Sequence, residues 1–167
     1  MKGQSGQRDS APIVVVVAGT WIFQCNPTMF DIGTALQHIN LFWWRLPQYR
    51  NAVQPGDTAL MWRSGKDAGI VAVGHVIDGP EVRGDHPDEL QFELTGGGEP
   101  TLRVLLDLRS CRFVSKAELR DLPLMSQHRI VRAPMGTVFK LDADEWTEIR
   151  LLLMTEDPPA EAAAGRC

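Results

Sequence analysis

The chain has 167 residues, of which 44% are hydrophobic and 23% charged, and its formal net charge is −4. That length and balance describe one globular domain with a sizeable core and exclude disorder of the whole chain, while the acidic sum argues against indiscriminate nucleic-acid binding. Cys25, Cys111 and Cys167 are odd in number and far apart, so neither a disulfide framework nor a zinc site is implied and a reducing compartment fits.

Residues 1–11 are polar and residues 156–167 (EDPPAEAAAGRC) are rich in Pro and Ala without periodicity. Both are expected to be disordered tails around a folded domain spanning 12–155. The apolar run Ile13 to Ala18 is too short for a secretory signal and far too short to cross a bilayer, so the protein reads as cytoplasmic, with no membrane partner.

From Ile13 to Cys25 the sequence is strongly β-prone, with a bend expected at Ala18-Gly19 and a break at Asn26-Pro27. Asp31 to Ile39 suits a short helix, with Asp31 as N-cap and Ile32, Ala35, Leu36 and Ile39 along one stripe. Asn40 to Arg50 carries an aromatic cluster of Phe42, Trp43, Trp44 and Tyr49. After the turn at Pro55-Gly56-Asp57, Thr58 to Trp62 and Ala68 to Val76 read as two strands joined by the polar turn Arg63 to Asp67.

Leu90 to Thr95 (LQFELT) alternates like a half-exposed strand, Gly96 to Gly98 is a loop, and Thr101 to Leu108 is another strand. Ser115 with Glu118 forms a capping box at the start of a two-turn helix, and Met125 to Pro134 is a connector. Val138 to Leu141 is a last short strand. Asp142 with Glu145 is a second capping box, opening the helix Ala143 to Met154 with Trp146, Ile149, Leu152 and Leu153 on one face. Five or six strands and three short helices make an α+β domain around a strongly curved sheet or small barrel.

Trp62 is followed by Arg63, Ser64, Gly65 and Lys66. An aromatic face beside a small-residue gap and two cations suits a planar, electron-rich ligand; the competing reading is a core tryptophan at a strand end. Charge is also unevenly spread. Residues 40–66 hold Arg45, Arg50, Arg63 and Lys66 against Asp57, whereas residues 78–99 hold seven acids against Arg83. A basic face and an acidic face would orient a phosphate backbone, although both also fit plain solvated surfaces.

Three segments point to one place if the sheet closes: Trp21 to Pro27 (WIFQCNP), Trp43 to Arg45 (WWR), and Pro55 to Gly65 (PGDTALMWRSG) followed by Ala68 to Val76. With Gly136 to Trp146 (GTVFKLDADEW) near the end, these segments resemble the EVE domain, a PUA-like domain related to the YTH and ASCH domains. The resemblance covers essentially the whole core, in order. It implies a PUA-like curved sheet or small open barrel, and a non-catalytic reader of modified bases. An unpaired or flipped-out cytosine or adenine, methylated or otherwise modified and in DNA or RNA, would sit in an aromatic pocket.

On that resemblance the base-binding residues are Gln24, Asn26, Trp43, Trp44, Trp62, Ser64 and Gly65, with one of Trp43 and Trp44 a pocket wall and the other packed inward. Arg45, Arg63 and Lys66 would take phosphates at the rim. Trp21 and Trp146 are read as core. No cofactor or metal is implied, the domain is expected to be a monomer, and any effect of binding would come from a separate effector protein.

Two other classes compete. An ASCH-like amidohydrolase acting on acylated nucleosides would need a Lys, a Thr and a Glu to converge. Lys66 stands near the right place, with Thr20 and Thr58 as guesses for the Thr. Cys25 with His38 or His75 could be cast as a thiol and its base, but reads better as a buried strand cysteine and a structural histidine. His86 and His128 lie in loops without ligand spacing, and Gly96-Gly97-Gly98 lacks the lysine and strand-to-helix setting of a phosphate loop. The third class, a protein-interaction module, would need the aromatic cluster exposed.

Overall fold

The computed structural model describes residues 11–13 and 15–155; most of the two expected tails therefore lies outside the described residues. Six strands form one mixed sheet: β1 (Thr20–Cys25), β2 (Leu41–Arg45), β3 (Thr58–Arg63), β4 (Gly69–Arg83), β5 (Thr101–Ser115) and β6 (Val138–Leu141). Their order is β2-β5-β4-β3-β1-β6, with β1 parallel to β3 and the other pairs antiparallel. The sheet does not close into a barrel. β4 and β5 are each 15 residues long, and register shifts at Ile70/Ala72, Val76/Asp78 and Asp78/Glu81 bend the pair.

Five helices decorate the described part: α1 (Ile32–His38), α2 (Pro87–Leu90), α3 (Lys116–Arg120), α4 (Arg129–Arg132) and α5 (Ala143–Met154), with a single 3-10 turn at Met125–Gln127. Among the described residues no helix is long and apolar enough to cross a membrane. The sequence-level caps form as bonded pairs. Asp31 accepts from the Thr34 N–H, and the Ser115/Glu118 and Asp142/Glu145 boxes are reciprocal.

Both faces of the sheet are apolar. One gathers Trp21, Phe23, Phe42, Met61, Ala72 and Leu106 under α1 and the flanking rings of Phe30 and Phe92. The other gathers Ile22, Leu60, Trp62, Ile70 and Val114 against Leu119, Ile130 and Ile149 of α3, α4 and α5. Trp146 packs partly buried on this second face, and Trp21 is buried in the first.

One buried carboxylate ties the start of β1 to the turn before β3. Asp57, 1% exposed, accepts from Trp21 Nε1 at 2.7 Å, Gly19 N at 2.8 Å and Gln54 N at 3.0 Å. Three donors on one carboxylate compensate its loss of water.

Three expectations from the sequence are corrected. Ile13 and Val15 to Val17 are exposed and outside the sheet, because β1 begins only at Thr20, where Thr58 of β3 becomes its partner. Leu90 to Thr95 is not a strand: only Glu93 makes an isolated bridge, to Phe30, while Phe92 is buried and its carbonyl accepts from Asp31 N. The connector after Met125 contains α4, whose N-cap His128 accepts from the Ile130 N–H at 3.1 Å.

Candidate functional site

A cavity of about 300 Å³ opens beside the first apolar face, where the end of β1, β2 and the loops around α2 meet. Of the residues expected to form a site, Gln24, Asn26, Trp43, Trp44 and Arg45 line it. Aromatic surface comes from β2 and from Phe30, just before α1. Trp43 is 5% exposed, with the Arg83 guanidinium 4.0 Å from its ring, whereas Trp44 is half-buried and meets Phe30 edge-on at 5.4 Å and 90°. Thus both tryptophans border the cavity, and Phe30 is a third ring that sequence reasoning missed.

Polar groups at the mouth are set by local turns. Asn26 Oδ1 accepts from Thr28 N at 3.0 Å and Thr28 Oγ1 at 2.8 Å, an Asx turn that leaves the amide NH₂ to donate. Gln24 is fixed through its backbone, whose N–H donates to the Thr137 carbonyl at 2.8 Å. Its Oε1 is buried with no hydrogen-bond partner among the described residues, an acceptor that a bound N–H would satisfy.

The remaining wall is acidic. Asp85, Glu89 and Glu93 all line the cavity, with Arg103 among them. Asp85 forms an ion pair with Arg103, both side chains 4% exposed, and Arg103 Nη1 also donates to the Trp43 carbonyl at 2.9 Å. Glu89, 3% exposed, accepts from the Trp43 N–H and closes the capping box of α2 with His86. Burial pushes the Glu89 carboxyl up to about 7, outweighing the N–H groups of Trp43 and His86 and the Arg103 charge that pull it down. Glu93 is raised as well, by burial and then by the Asp85 carboxyl beside it. Gly97 N donates to Glu93 Oε2 at 3.0 Å, so the glycine loop closes over this carboxylate pair. Three of the seven acids of the expected acidic face thus line the cavity; the HPDE capping box at His86–Glu89 was the local signal that could have placed Glu89.

Five expected site residues do not reach this cavity. Trp62 is fully buried among Ile22, Leu60 and Ile70 on the opposite face of the sheet. Strand alternation puts it beside Leu60 rather than with Met61, so it is a core residue and not a pocket wall. Gly65 and Lys66 line a separate depression. Arg63 lies over the Phe113 ring at 5.3 Å and donates to the Asp67 carbonyl. Ser64 sits between, half-buried, its N–H donating to the Cys25 carbonyl at 2.9 Å.

Cys25, which also borders the cavity, is held as a thiol. Its Sγ donates to the Phe30 carbonyl at 3.6 Å, and burial, aided by Asp31 and opposed by Arg63, pushes its pKa up to about 12. A thiol so far from ionisation is a poor nucleophile. No lysine is among the residues lining the cavity, so Lys66 is not poised there for hydrolysis.

The architecture, an open six-stranded mixed sheet with helices on its faces, is that of a PUA-like domain. Solved structures bear the likeness out. A human THYN1 protein in complex with 5-methylcytosine containing DNA superimposes with a TM-score of 0.57 at 17% identity, covering 84% of this chain and 100% of that one. A protein from Agrobacterium tumefaciens matches with a TM-score of 0.57 at 17% identity, over 85% of this chain and 97% of that one. A hypothetical protein from Leishmania major matches with a TM-score of 0.56 at 16% identity, over 81% and 94%. No curated protein matches the chain by sequence. The EVE domain family matches residues 19–152, and the chain belongs to that family.

Proposed function

We propose that this protein is a non-catalytic reader of modified nucleobases, taking an unpaired or flipped-out base into the cavity bordered by Trp43, Trp44 and Phe30. The observation that carries this reading is a cavity of about 300 Å³ lined both by aromatic rings and by hydrogen-bonding groups. That volume is at the small end of ligand sites and suits one planar ring. Stacking on the rings is worth about 1–3 kcal/mol per base and tolerates any base; selection falls to the edge groups.

Those edge groups are mostly acceptors: the carboxylates of Asp85 and Glu93 and the unpartnered Gln24 Oε1. Carboxylates accept from the exocyclic amine of cytosine, and adenine offers a similar amine, so the site favours amino-bearing bases over uracil or thymine. The likeness to a protein bound to 5-methylcytosine DNA supports a modified cytosine. The protonated Cys25 thiol and the lack of a lysine in the cavity lining favour binding over hydrolysis.

The test is tryptophan quenching on titration with short single-stranded DNA and RNA carrying 5-methylcytosine, 5-hydroxymethylcytosine or N6-methyladenine, each beside its parent. Selective quenching by one modification is expected. Trp44→Ala should weaken binding by roughly 5- to 150-fold, the equivalent of one stacking contact, while leaving the fold intact. Trp62→Ala should instead cost about 3–5 kcal/mol of stability as a core truncation. Equal quenching by modified and parent bases, or binding indifferent to Trp44, would overturn the reading.

A further inference from the structure

A second depression, of about 430 Å³, opens where the β3–β4 turn meets the end of β5 and the start of α3. Lys66, Phe113, Lys116 and Arg120 line it, and Arg63 lies over the Phe113 ring. Three cations thus line the depression and a fourth lies over its ring, against the single carboxylate of Asp67 in the lining. The nearby Glu118 is already paired with Arg112 at 2.6 Å and bound by Ser115.

The cations differ in how they are held. Arg63 is anchored, its Nε and Nη2 donating to the Asp67 carbonyl at 3.3 and 3.1 Å. Lys66, Lys116 and Arg120 have no side-chain hydrogen bond or ion pair among the described residues. In a chain of net charge −4, like charges gathered without partners repel one another, and a polyanion relieves that repulsion. Phe113, 40% exposed, adds accessible aromatic surface. Cations tracking a backbone beside an exposed ring are the two parts of a single-strand binding surface.

The segments that line the depression and the base cavity are joined. Cys25 and Asn26 line the cavity, Gly65 and Lys66 line the depression, and the Ser64 N–H to Cys25 carbonyl bond joins the two segments. Gly65, in the lining of the depression, packs beside Pro27, which follows Asn26 of the cavity. Gly65 has φ +96°, and a Cβ there would come within 3.6 Å of Pro27 Cγ. Glycine suits this backbone conformation, which other residues rarely adopt.

We propose that this depression is a phosphodiester track for the strand flanking the bound base, with Lys66, Lys116 and Arg120 on phosphates and Phe113 under a neighbouring base. The proposal rests on the base-reading function for the direction of the strand, but the two are separable by experiment. The mononucleotide 5-methyl-dCMP reports the cavity alone, and a single-stranded DNA octamer with one 5-methylcytosine reports cavity and track together.

The experiment compares wild-type protein with the triple variant Lys66→Gln, Lys116→Gln, Arg120→Gln, whose circular dichroism and melting midpoint check the fold. Binding of both probes, of the unmodified octamer and of a Glu octapeptide is measured from 50 to 200 mM salt. Wild-type protein should bind the modified octamer at least about tenfold more tightly than the mononucleotide. Three phosphate contacts predict a log–log salt slope near −2, or roughly a 20-fold loss across that range. The triple variant should lose both the gain and most of the slope while binding the mononucleotide unchanged.

Octamer affinity and salt slope that survive the triple substitution overturn the track and leave base reading standing. Failure of wild-type protein to bind either octamer also overturns it. Salt-dependent octamer binding that the substitutions abolish, with no mononucleotide binding, supports the track and refutes base reading. An octapeptide bound as tightly as the octamer, through the same three residues, overturns the track in favour of a general anion site.

Discussion

The buried carboxyl of Glu89 makes stability depend on pH in a direction opposite to ordinary acid unfolding. In the folded protein it titrates near 7, against an ordinary 4.5, because burial penalises the ionised form more than Trp43, His86 and Arg103 favour it. Between about pH 4.5 and 7 the unfolded chain has released this proton while the folded protein still holds it. Folding takes up a proton in that window, so stability is fully present below 4.5, falls as pH rises through 7, and is level beyond. At 1.36 kcal/mol per unit, the shift is worth about 3 kcal/mol in all, of which about 2 to 3 kcal/mol is lost between pH 5 and pH 8.

Glu89→Gln imitates the protonated side chain and keeps an acceptor for the Trp43 N–H, so it removes the titration with little else. Urea unfolding followed by tryptophan fluorescence at pH 5 and pH 8 gives the comparison. Wild-type protein should lose about 2 to 3 kcal/mol more than the variant over that interval. Glu93 is raised too and acts in the same sense, but it is present in both proteins and cancels. Asp31 and Glu118 are shifted down, Asp31 by its Thr34 hydrogen bonds and Glu118, in spite of burial, by Ser115 and Arg112. Their contributions disappear on the acid side, outside the interval. Parallel profiles for the two proteins would refute the reasoning.

Two further substitutions test the frame that holds the cavity. Asp57→Ala strips acceptors from Trp21 Nε1, Gly19 N and Gln54 N at a position 1% exposed; it should cost about 3–5 kcal/mol in urea unfolding, and a loss under about 1 kcal/mol would count against the network. Gly74→Ala would set a Cβ 1.7 Å from the Asp107 carbonyl oxygen and 3.0 Å from Leu108 Cα, prising β4 from β5. About 3 kcal/mol of destabilisation is expected, whereas Gly96→Ala, with nothing within 4 Å of its Cβ, should unfold like the wild type.

What the sequence determined by itself is what depends on residues a few positions apart. The Asp31 cap and the Ser115/Glu118 and Asp142/Glu145 boxes need only the hydrogen-bonding reach of three residues. The runs 58–62, 101–108 and 138–141 all entered the sheet, because β-branched and long apolar side chains at period two fit its pleat. The order of motifs was enough to identify the family and its sheet.

Tertiary structure decided which groups meet. Nothing local says which side of β3 faces a cavity; α3, α4 and α5 cover the side bearing Trp62, and so a tryptophan set among cations became core. Ile13 and Val15 to Val17 have the composition of a strand but no neighbour to bond with. Leu90 to Thr95 has the alternation of one, yet its backbone bonds go to Asp31 and Met29 in a loop contact. The acidic segment shows the principle most plainly. Asp85 is drawn inward by Arg103, 18 positions further along the chain, and Glu89 by the backbone of Trp43, 46 positions back. Such pairings are set by how the sheet curls, since a carboxylate leaves water only where the fold brings it a partner.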